Sequence, residues 1–489
     1  MKKLLCVLFA ILIIALTIPS AFAYEGETRD VPQVRIVTES GNGCNLQKED
    51  GYVNAHITIT DTDGTALEDD AQIKVRGNST ALDWVTKKSF TFKYAKKKNV
   101  LQMGSAKKWA LLANLFDPTL IRNYVGLETA RALDLPYTSE QRIAEVWLDG
   151  SYRGFYTLVE PIGDGKDRVN INTDNDEFII EYEATRNEDD VVYVKTGNLR
   201  FAVKEPSAPS ESQLSFISET MTDLINTLKT GSKAEITAKI DLDSFVRFYL
   251  LNEYLKTVDF GFSSVFFYYK NGVLYAGPAW DYDLSGGNSN PDLTASTANA
   301  YVPDGMYANG KQIFALLCSY DWFNYEAKKT YAEYADVFEN IHRDNGLIDT
   351  VSTDYRGVID RNYSEAGWSV SRYWVNVQKK PLATYDENLH YYREWCADRD
   401  QWLTEHFEAQ KYYLKGDSDG DNTVTVLDAT NIQKYLACLI TDYDEMTLTR
   451  SKTSDEALSI IDATVIQKYL AALGNPNRID EMVKITDEV

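Results

Sequence analysis

Alternation of apolar and polar residues predicts a β-rich first part of the chain. Between residues 31 and 110, four stretches carry apolar side chains at every second position, which is typical of strands with one buried face. Turn residues such as Asp63-Gly64 separate these stretches. The predicted strands cover residues 34–38, 56–60, 71–76 and 89–93. A further hairpin is predicted around Asp149-Gly150, and a strand over residues 177–183 is expected to carry a solvated acidic edge.

The periodicity becomes helical beyond Ser212. Apolar residues recur with helical spacing over residues 214–228 and 244–256, and an earlier helix is predicted after Asp117-Pro118. Residues 314–406 continue this spacing and are rich in Trp and Tyr, which pack more often in a core than in a sugar-binding groove. The pattern therefore predicts an α+β fold with a β-rich N-terminal part and a helical C-terminal part.

A hairpin in the helical part brings acidic residues together. Two β-like stretches flank Asn271-Gly272, a two-residue turn typical of hairpins. Pairing about this turn joins positions whose numbers sum to about 543, which sets Asp281 opposite residue 262, with Asp259 close by. An extended backbone would put Asp281 and Asp283 on one face. The spacing indicates a divalent metal site; the alternative is two carboxylates that only cap a turn.

These residues resemble the active-site core of the CotH (spore coat protein H) kinase family, a group of atypical protein kinases. The similar segments are residues 259–264, DFGFSS, and residues 278–283, PAWDYD. The resemblance implies that Asp259 is catalytic, that Asp281 binds Mg²⁺ and that Asp283 is a second ligand. Phosphoryl transfer from ATP needs carboxylates in both roles. Ser264 stands where other members carry an asparagine, which is a better Mg²⁺ ligand.

A second motif shared with this family is Arg76-Gly-Asn-Ser-Thr80, followed by Lys87-Lys88-Ser-Phe. Arg76 and Lys88 are expected to meet phosphates as catalytic groups, and Asn78 and Ser79 are expected to bind the nucleotide. The residues alone leave open a polar hairpin turn with solvated lysines. Within a later hairpin that is also similar to the family, Glu160 is a candidate for the carboxylate that pairs a nucleotide-holding lysine.

The first residues and the charge indicate a secreted protein. Lys2 and Lys3 precede an apolar run, and Ala21-Phe22-Ala23 has the small residues of a cleavage site, so residues 1–23 are predicted to be a signal peptide. The net charge of −23 argues against a nucleic-acid partner. No later apolar run is long enough for a stable membrane span.

The last part of the chain contains a predicted calcium loop. Oxygen-bearing residues occupy positions one, three, five, seven and twelve of a loop similar to that of an EF-hand. The expected Ca²⁺ ligands are Asp417, Asp419, Asp421, the carbonyl of Thr423 and Asp428. Residues 428–437 are repeated, with little change, at residues 462–471.

This duplicated loop and helix resembles a type I dockerin, the small all-α EF-hand-like module that attaches secreted enzymes to the cohesins of a cellulosome scaffold. The similarity covers residues 416–474, and residues 475–489 are predicted to be an acidic tail. The second loop has fewer carboxylates, with Asp455 and Asp462 at positions five and twelve. We therefore expect a weak or absent second calcium site.

Together the two resemblances predict a CotH kinase-like domain over residues 31–410 followed by a dockerin. The leading hypothesis is a secreted component of a cell-surface cellulosome that uses ATP and Mg²⁺ to phosphorylate an unidentified protein. The scarcity of ATP outside cells is an objection to it. Two alternatives remain open: a carbohydrate-active enzyme acting on plant polysaccharide, and a non-catalytic binding component that retains a kinase fold.

Overall fold

A computed structural model describes residues 30–187, 191–371, 378–454 and 456–486. The predicted signal peptide and Asp455 lie outside these residues. The fold is α+β, with strands concentrated in the N-terminal part and helices in the C-terminal part, as the hydrophobic pattern predicts.

The N-terminal part is a closed seven-stranded barrel. Its strands are β1 (Gln33–Thr38), β2 (Val53–Thr60), β3 (Ala66–Arg76), β4 (Ser89–Asn99), β5 (Ser105–Leu112), β6 (Gln141–Leu148) and β7 (Ser151–Val159). They follow the order β1-β2-β3-β4-β5-β7-β6, and a parallel pairing of β1 with β6 closes the barrel. Alternate side chains such as Ile57, Ile73, Phe92 and Trp109 fill the interior, so each strand presents its other face outwards.

Helix α1 (Arg122–Ala132) connects β5 to β6 and is fixed by buried polar contacts. The Arg122 guanidinium donates to Asp117 Oδ1 at 2.5 Å and to the Ser285 carbonyl at 3.0 Å. Both charged side chains are at most 2 % exposed, so the pair replaces lost hydration with direct hydrogen bonds. Arg122 therefore has a structural role.

The chain also forms a second, five-stranded sheet. It contains β8 (Phe178–Tyr182), β9 (Tyr193–Thr196), β10 (Leu199–Glu205), β11 (Val265–Lys270) and β12 (Val273–Ala276), in the order β12-β11-β8-β10-β9. Lys270 pairs with Val273 and Phe267 with Ala276, which confirms the register predicted from the Asn271-Gly272 turn. The hairpin therefore delivers the following segment to a fixed edge of this sheet.

Within the residues that the structure describes, ten further helices share a large core with this sheet. They are α2 (Glu211–Thr230), α3 (Lys233–Thr237), α4 (Leu242–Leu255), α5 (Ala295–Tyr301), α6 (Gln312–Leu317), α7 (Asp321–Glu333), α8 (Ala335–His342), α9 (Leu347–Asp354), α10 (Arg356–Ser364) and α11 (Tyr385–Ala409). A fully buried ion pair joins α11 to α4, because Arg399 donates to Glu253 Oε1 at 2.7 Å. Glu253 also accepts the Tyr307 N–H at 2.6 Å, which ties the segment after α5 to the same helix.

The C-terminal residues form a small module. It comprises β13 (Tyr412–Leu414), α12 (Val426–Leu436), α13 (Glu445–Ser451), α14 (Ile460–Leu470) and β14 (Met482–Lys484). Ala429, Ile432, Ala463, Ile466 and Ile479 make its core. Strand β14 belongs to the predicted acidic tail, yet it pairs with β13, and the Lys484 N–H donates to Asp321 Oδ2 at 3.1 Å. The end of the chain thus attaches the module to α7.

Among the residues that the structure describes, no helix has both the length and the apolar character needed to cross a membrane.

Candidate functional site

A cavity of about 980 Å³ opens between the outer face of the barrel and the second sheet. Strands β3, β4 and β5 line one side of it, and β8, β10 and the segment after β12 line the other. Asp259, Asp281 and Asp283 lie along its wall, together with Arg76 and Ser264. The hairpin and the Arg-Gly-Asn-Ser motif, which are far apart in sequence, therefore meet at one cavity.

The segment that carries Asp281 and Asp283 is held by helix α1. The Tyr282 N–H donates to Asn123 Oδ1 at 2.7 Å, and the Tyr282 ring packs directly on Gly126. The extended backbone expected from sequence is wrong here, because Asp281 has φ +71° and the segment contains no strand. Both carboxyl groups nevertheless line the cavity. The contacts of Tyr282 with α1, and not the alternation of a strand, therefore hold Asp281 and Asp283 at the cavity.

Asp259 and Ser264 reach the cavity from the other arm of the hairpin. Asp259 lies in a 3₁₀ turn, Val258–Gly261, which follows α4. The hydroxyl of Tyr307 donates to the Thr257 carbonyl at 3.1 Å and so fixes the start of this turn. Ser264 donates through Oγ to Asp281 Oδ2 at 2.9 Å. Ser264 therefore orients the predicted metal ligand.

The three carboxyl groups repel one another in a poorly hydrated site. Burial first, and the charge of Asp281 second, raise the pKa of Asp259 to about 7. Burial also raises the pKa of Asp281, although the hydrogen bond from Ser264 and the charge of Arg76 oppose this. The pKa of Asp283 lies well above its usual range because of burial and the charges of Asp281 and Asp259. A divalent cation bound here would relieve this repulsion.

The donor chemistry of this cluster fits Mg²⁺. Carboxylate oxygens are hard ligands, and Mg²⁺ is usually held by one or two of them together with substrate phosphates and water. Within the described residues, three carboxylates with oxygens all within 4.8 Å of one another occur in the C-terminal loop and not in this cavity. The cavity therefore fits a metal shared with a phosphate better than a closed protein cage.

All five residues of the motif Arg76-Gly-Asn-Ser-Thr80 line the cavity. The Arg76 guanidinium lies over the Trp280 ring, 4.9 Å from its centroid, and the charge of Asp281 acts on it. Asn78 accepts a hydrogen bond from Lys48, and Ser79 begins a short 3₁₀ turn beside it. The motif thus places a cation beside the acidic end of the cavity.

Two predicted residues do not line the cavity. The Lys88 ammonium is buried and donates to the Leu46 carbonyl at 3.0 Å and to Gln47 Oε1, so it is used inside the fold. Glu160 faces Arg168, with 3.6 Å between Oε1 and Nε, and not a lysine. Burial raises the pKa of Glu160 to about 7. The sequence pattern predicted both residues as site residues, but it could not predict the direction of their side chains.

Several cavity residues were not predicted as site residues. Glu181 and Glu183, expected on a solvated edge, line the cavity, and Glu183 is buried; that expectation is wrong. Glu181 accepts the Ser264 N–H at 3.1 Å and pairs with Lys204 at 3.0 Å. Glu181 lies on β8 and Glu183 directly follows it, and a spacing of two residues along an extended segment is a signal of a shared face. Lys74, one alternation before Arg76, is a further lining residue with the same signal.

The predicted calcium loop gathers its first three acids. The carboxyl oxygens of Asp417, Asp419 and Asp421 lie within 4.8 Å of one another. Asp428 is buried, and its Oδ1 accepts the Ser418 N–H at 2.8 Å. The side chain of Thr423 donates to Asp421 Oδ1 at 2.6 Å. The oxygen-rich chemistry of this loop fits Ca²⁺.

In the second, repeated loop, hydrogen-bond donors of the loop itself bind the carboxylate of Asp462. Asp462 Oδ1 accepts both the N–H and the hydroxyl of Thr453 at 2.8 Å, and Oδ2 accepts the Ser459 N–H at 2.8 Å. Asp455 lies outside the described residues. The hydrogen bonds to Asp462 resemble those to Asp428, but the neighbouring acids of the first loop are replaced by Ser451 and Thr453.

Comparison with protein families places a family model over much of the chain. The family model described as CotH kinase protein matches residues 73–403, which is more than half of the chain and includes both motifs of the cavity. None of the curated proteins compared with the chain matches it. With the cavity and its acidic end, the family match leads to one conclusion: the chain belongs to the CotH kinase protein family.

Proposed function

We propose that the chain transfers the γ-phosphoryl group of ATP to a hydroxyl group of a protein. The observation that carries this proposal is the convergence of Asp259, Asp281 and Asp283 beside Arg76 at one cavity. Kinase chemistry needs a carboxylate to orient the acceptor hydroxyl, others to hold Mg²⁺ and cations to meet phosphate charge. Membership of the CotH kinase protein family supports the same reaction class.

Each cavity residue has a proposed role. Asp259, whose pKa is about 7, accepts the proton of the acceptor hydroxyl. Asp281 and Asp283 hold Mg²⁺, which when bound neutralises charge on the phosphates. Ser264 keeps Asp281 in one orientation through its 2.9 Å hydrogen bond. The guanidinium of Arg76 is close enough to Asp281 for their charges to interact. It would therefore lie beside phosphates bound to a metal at Asp281 and would offset their negative charge.

Transfer of radiolabelled phosphate from ATP tests this proposal. We expect the purified chain with Mg²⁺ to label itself or dephosphorylated casein, and Asp259→Asn to lose this labelling while still binding ATP. Asp354→Asn, an exposed substitution of the same type on α9, serves as the matched control. Labelling that persists in Asp259→Asn would contradict the role of Asp259.

Polysaccharide hydrolysis remains the second candidate, because paired carboxylates in a cavity also suit glycosidases. Release of reducing sugars from plant polysaccharide, lost in Asp259→Asn or Asp281→Asn, would favour it over phosphoryl transfer. A folded chain with neither activity would favour a non-catalytic binding component.

We further propose that the C-terminal module is a dockerin that binds Ca²⁺ and a scaffold cohesin, and that the protein is secreted to a cell-surface cellulosome. The acidic group of the first loop supports Ca²⁺ binding. Two apolar pairs at corresponding positions of the repeated helices support a protein partner: Val426 and Leu427 are each 59 % exposed, and Ile460 and Ile461 are 56 % and 64 % exposed.

Calorimetric titration of the chelated chain with Ca²⁺ tests the first part of this proposal, and native gel shift with a purified cohesin tests the second. We expect one strong Ca²⁺ site that is lost in Asp417→Ala, and a cohesin shift that requires Ca²⁺. Absence of heat in a folded chain would overturn the calcium site. A cohesin shift that persists in the presence of a chelator would show that cohesin binding does not depend on Ca²⁺, which would contradict this part of the proposal.

A further inference from the structure

A row of lysines leads out of the cavity across the barrel. Lys74 on β3 lines the cavity, and Lys93 on β4 lies directly opposite Lys108 on β5. Lys74 alternates with buried Ile73 and Val75, so it points to the outer face of the barrel. We call Lys74, Lys93 and Lys108 the lysine track.

The track continues the cavity in a defined direction. Residue 72 of β3 pairs with Lys93, and Lys74 is two residues further along β3 towards Arg76. Two residues of a strand rise about 7 Å, so Lys93 and Lys108 are displaced by about 7 Å along the strands from Lys74, away from the acidic end, and lie on the first and second neighbouring strands, about 5 Å and about 10 Å to the side. An extended ligand with one end in the cavity would therefore pass over all three lysines.

The positive charge of the track is not balanced locally. Within the described residues, none of the three lysines has a carboxylate at salt-bridge distance; Glu205 senses the charge of Lys108 only from further away. Lys93 and Lys74 instead contact the Tyr52 ring, with 3.9 Å and 4.8 Å between Nζ and the centroid. Burial and the neighbouring cations lower the pKa of Lys74.

This arrangement is unfavourable without a ligand. Like charges directly opposite on neighbouring strands destabilise a sheet, and Lys93 and Lys108 are such a pair. The chain as a whole carries a net charge of −23, so most of its surface repels anions. The lysine track is therefore a positively charged patch on a negatively charged protein. An anionic ligand bound there would reduce the repulsion between its lysines.

We infer that the lysine track binds acidic side chains of the acceptor, so that the protein that receives the phosphoryl group carries Asp or Glu residues near the acceptor hydroxyl. This inference rests on the proposed kinase function. Side chains of an extended peptide recur on one face at every second residue, which matches the spacing of the track from the cavity. ATP phosphates are assigned to the acidic end of the cavity with Arg76, so Lys93 and Lys108 remain for the acceptor.

Fluorescence anisotropy of labelled peptides with the full chain tests the inference. The probes are three short peptides with one serine flanked by glutamates, by glycines or by lysines. We expect the glutamate peptide to bind most tightly, and Lys93→Glu/Lys108→Glu to weaken its binding by at least about tenfold. The double variant Lys229→Glu/Lys329→Glu changes the charge equally at exposed lysines of α2 and α7 and is the control.

Calorimetric titration of the same variants with ATP and Mg²⁺ separates this inference from the proposed function. We expect Lys93→Glu/Lys108→Glu to bind ATP like the wild type. A wild type that binds no ATP but prefers the glutamate peptide would reject the kinase function and retain the lysine track as an anion-binding surface. The inference would be overturned if the three peptides bound equally. It would also be overturned if Lys93→Glu/Lys108→Glu bound the glutamate peptide as the wild type does, or if this variant lost ATP binding. An oligonucleotide that competes as well as the glutamate peptide would also overturn it.

Discussion

Replacing Asp283 by asparagine should stabilise the metal-free protein while removing its response to Mg²⁺ and ATP. Burial is the largest cause of the raised pKa of Asp283, and the charges of Asp281, Asp259 and Asp117 raise it further. Attraction to a cation is not among these causes. An asparagine keeps the shape of the side chain and removes the repelling charge, so the folded state gains stability when no metal is bound.

The neighbouring Asp259 gives the size of the effect. Its pKa rises from 3.8 to about 7, which corresponds to about 4 kcal/mol because one pKa unit is worth about 1.4 kcal/mol. Burial accounts for the largest part and like charges for the rest. Removing the charge of Asp283 should therefore raise the free energy of unfolding by about 1–2 kcal/mol at pH 8. Asp281→Asn should gain less, since it also loses attraction to Arg76.

Differential scanning fluorimetry with EDTA, and then with Mg²⁺ and ATP, measures both effects. We expect Asp283→Asn to melt about 2–4 °C above the wild type in EDTA and to show no further rise with Mg²⁺ and ATP. Asp354→Asn should behave as the wild type in both conditions. A lower melting temperature of Asp283→Asn in EDTA would refute the repulsive cluster, and a full Mg²⁺–ATP response would refute its role as a ligand.

Three other perturbations test separate parts of the account. In Gly126→Ala the new Cβ would overlap the Tyr282 ring, so we expect a loss of about 1–3 kcal/mol in chemical denaturation and weaker ATP binding; unchanged binding would show that this contact does not position the acids. Glu160 has a folded pKa of about 7 against 4.5, so the folded state binds the extra proton and the free energy of unfolding should fall as the pH rises from 4.5 to 7. Glu160→Gln should flatten this fall by up to about 3 kcal/mol, and parallel pH profiles would contradict the burial of its charge. Asp417→Ala/Asp428→Ala should abolish the destabilisation that a Ca²⁺ chelator causes in wild-type calorimetry, and a wild-type trace that ignores the chelator would contradict the calcium loop.

Local patterns predicted much of this fold because local physics decides it. The Asn271-Gly272 turn fixes the pairing of Lys270 with Val273, and the apolar spacing of residues 214–228 follows from the buried face of α2. The division into a β-rich and a helical part rests on the same periodicities. The spacing of the acids around the hairpin also indicated that Asp259 and Asp281 would lie close together, and both line the same cavity.

The remaining features depend on contacts between distant segments. Closure of the barrel joins Val34 to Val146, which no local pattern specifies. The left-handed backbone of Asp281 follows from its surroundings, including the contact of Tyr282 with α1. Lys88 turns inward because the Leu46 carbonyl offers it a partner there. Direction of side chains and closure of sheets therefore required the three-dimensional structure.

Isothermal titration of the chain with ATP, with and without Mg²⁺, beside Asp281→Ala, tests the central claim most directly. The claim is that the acidic end of the cavity holds a metal-bound nucleotide. We predict binding that requires Mg²⁺, disappears in Asp281→Ala and persists in Asp354→Asn. No binding by a folded wild type, or equal binding by Asp281→Ala, would contradict the claim.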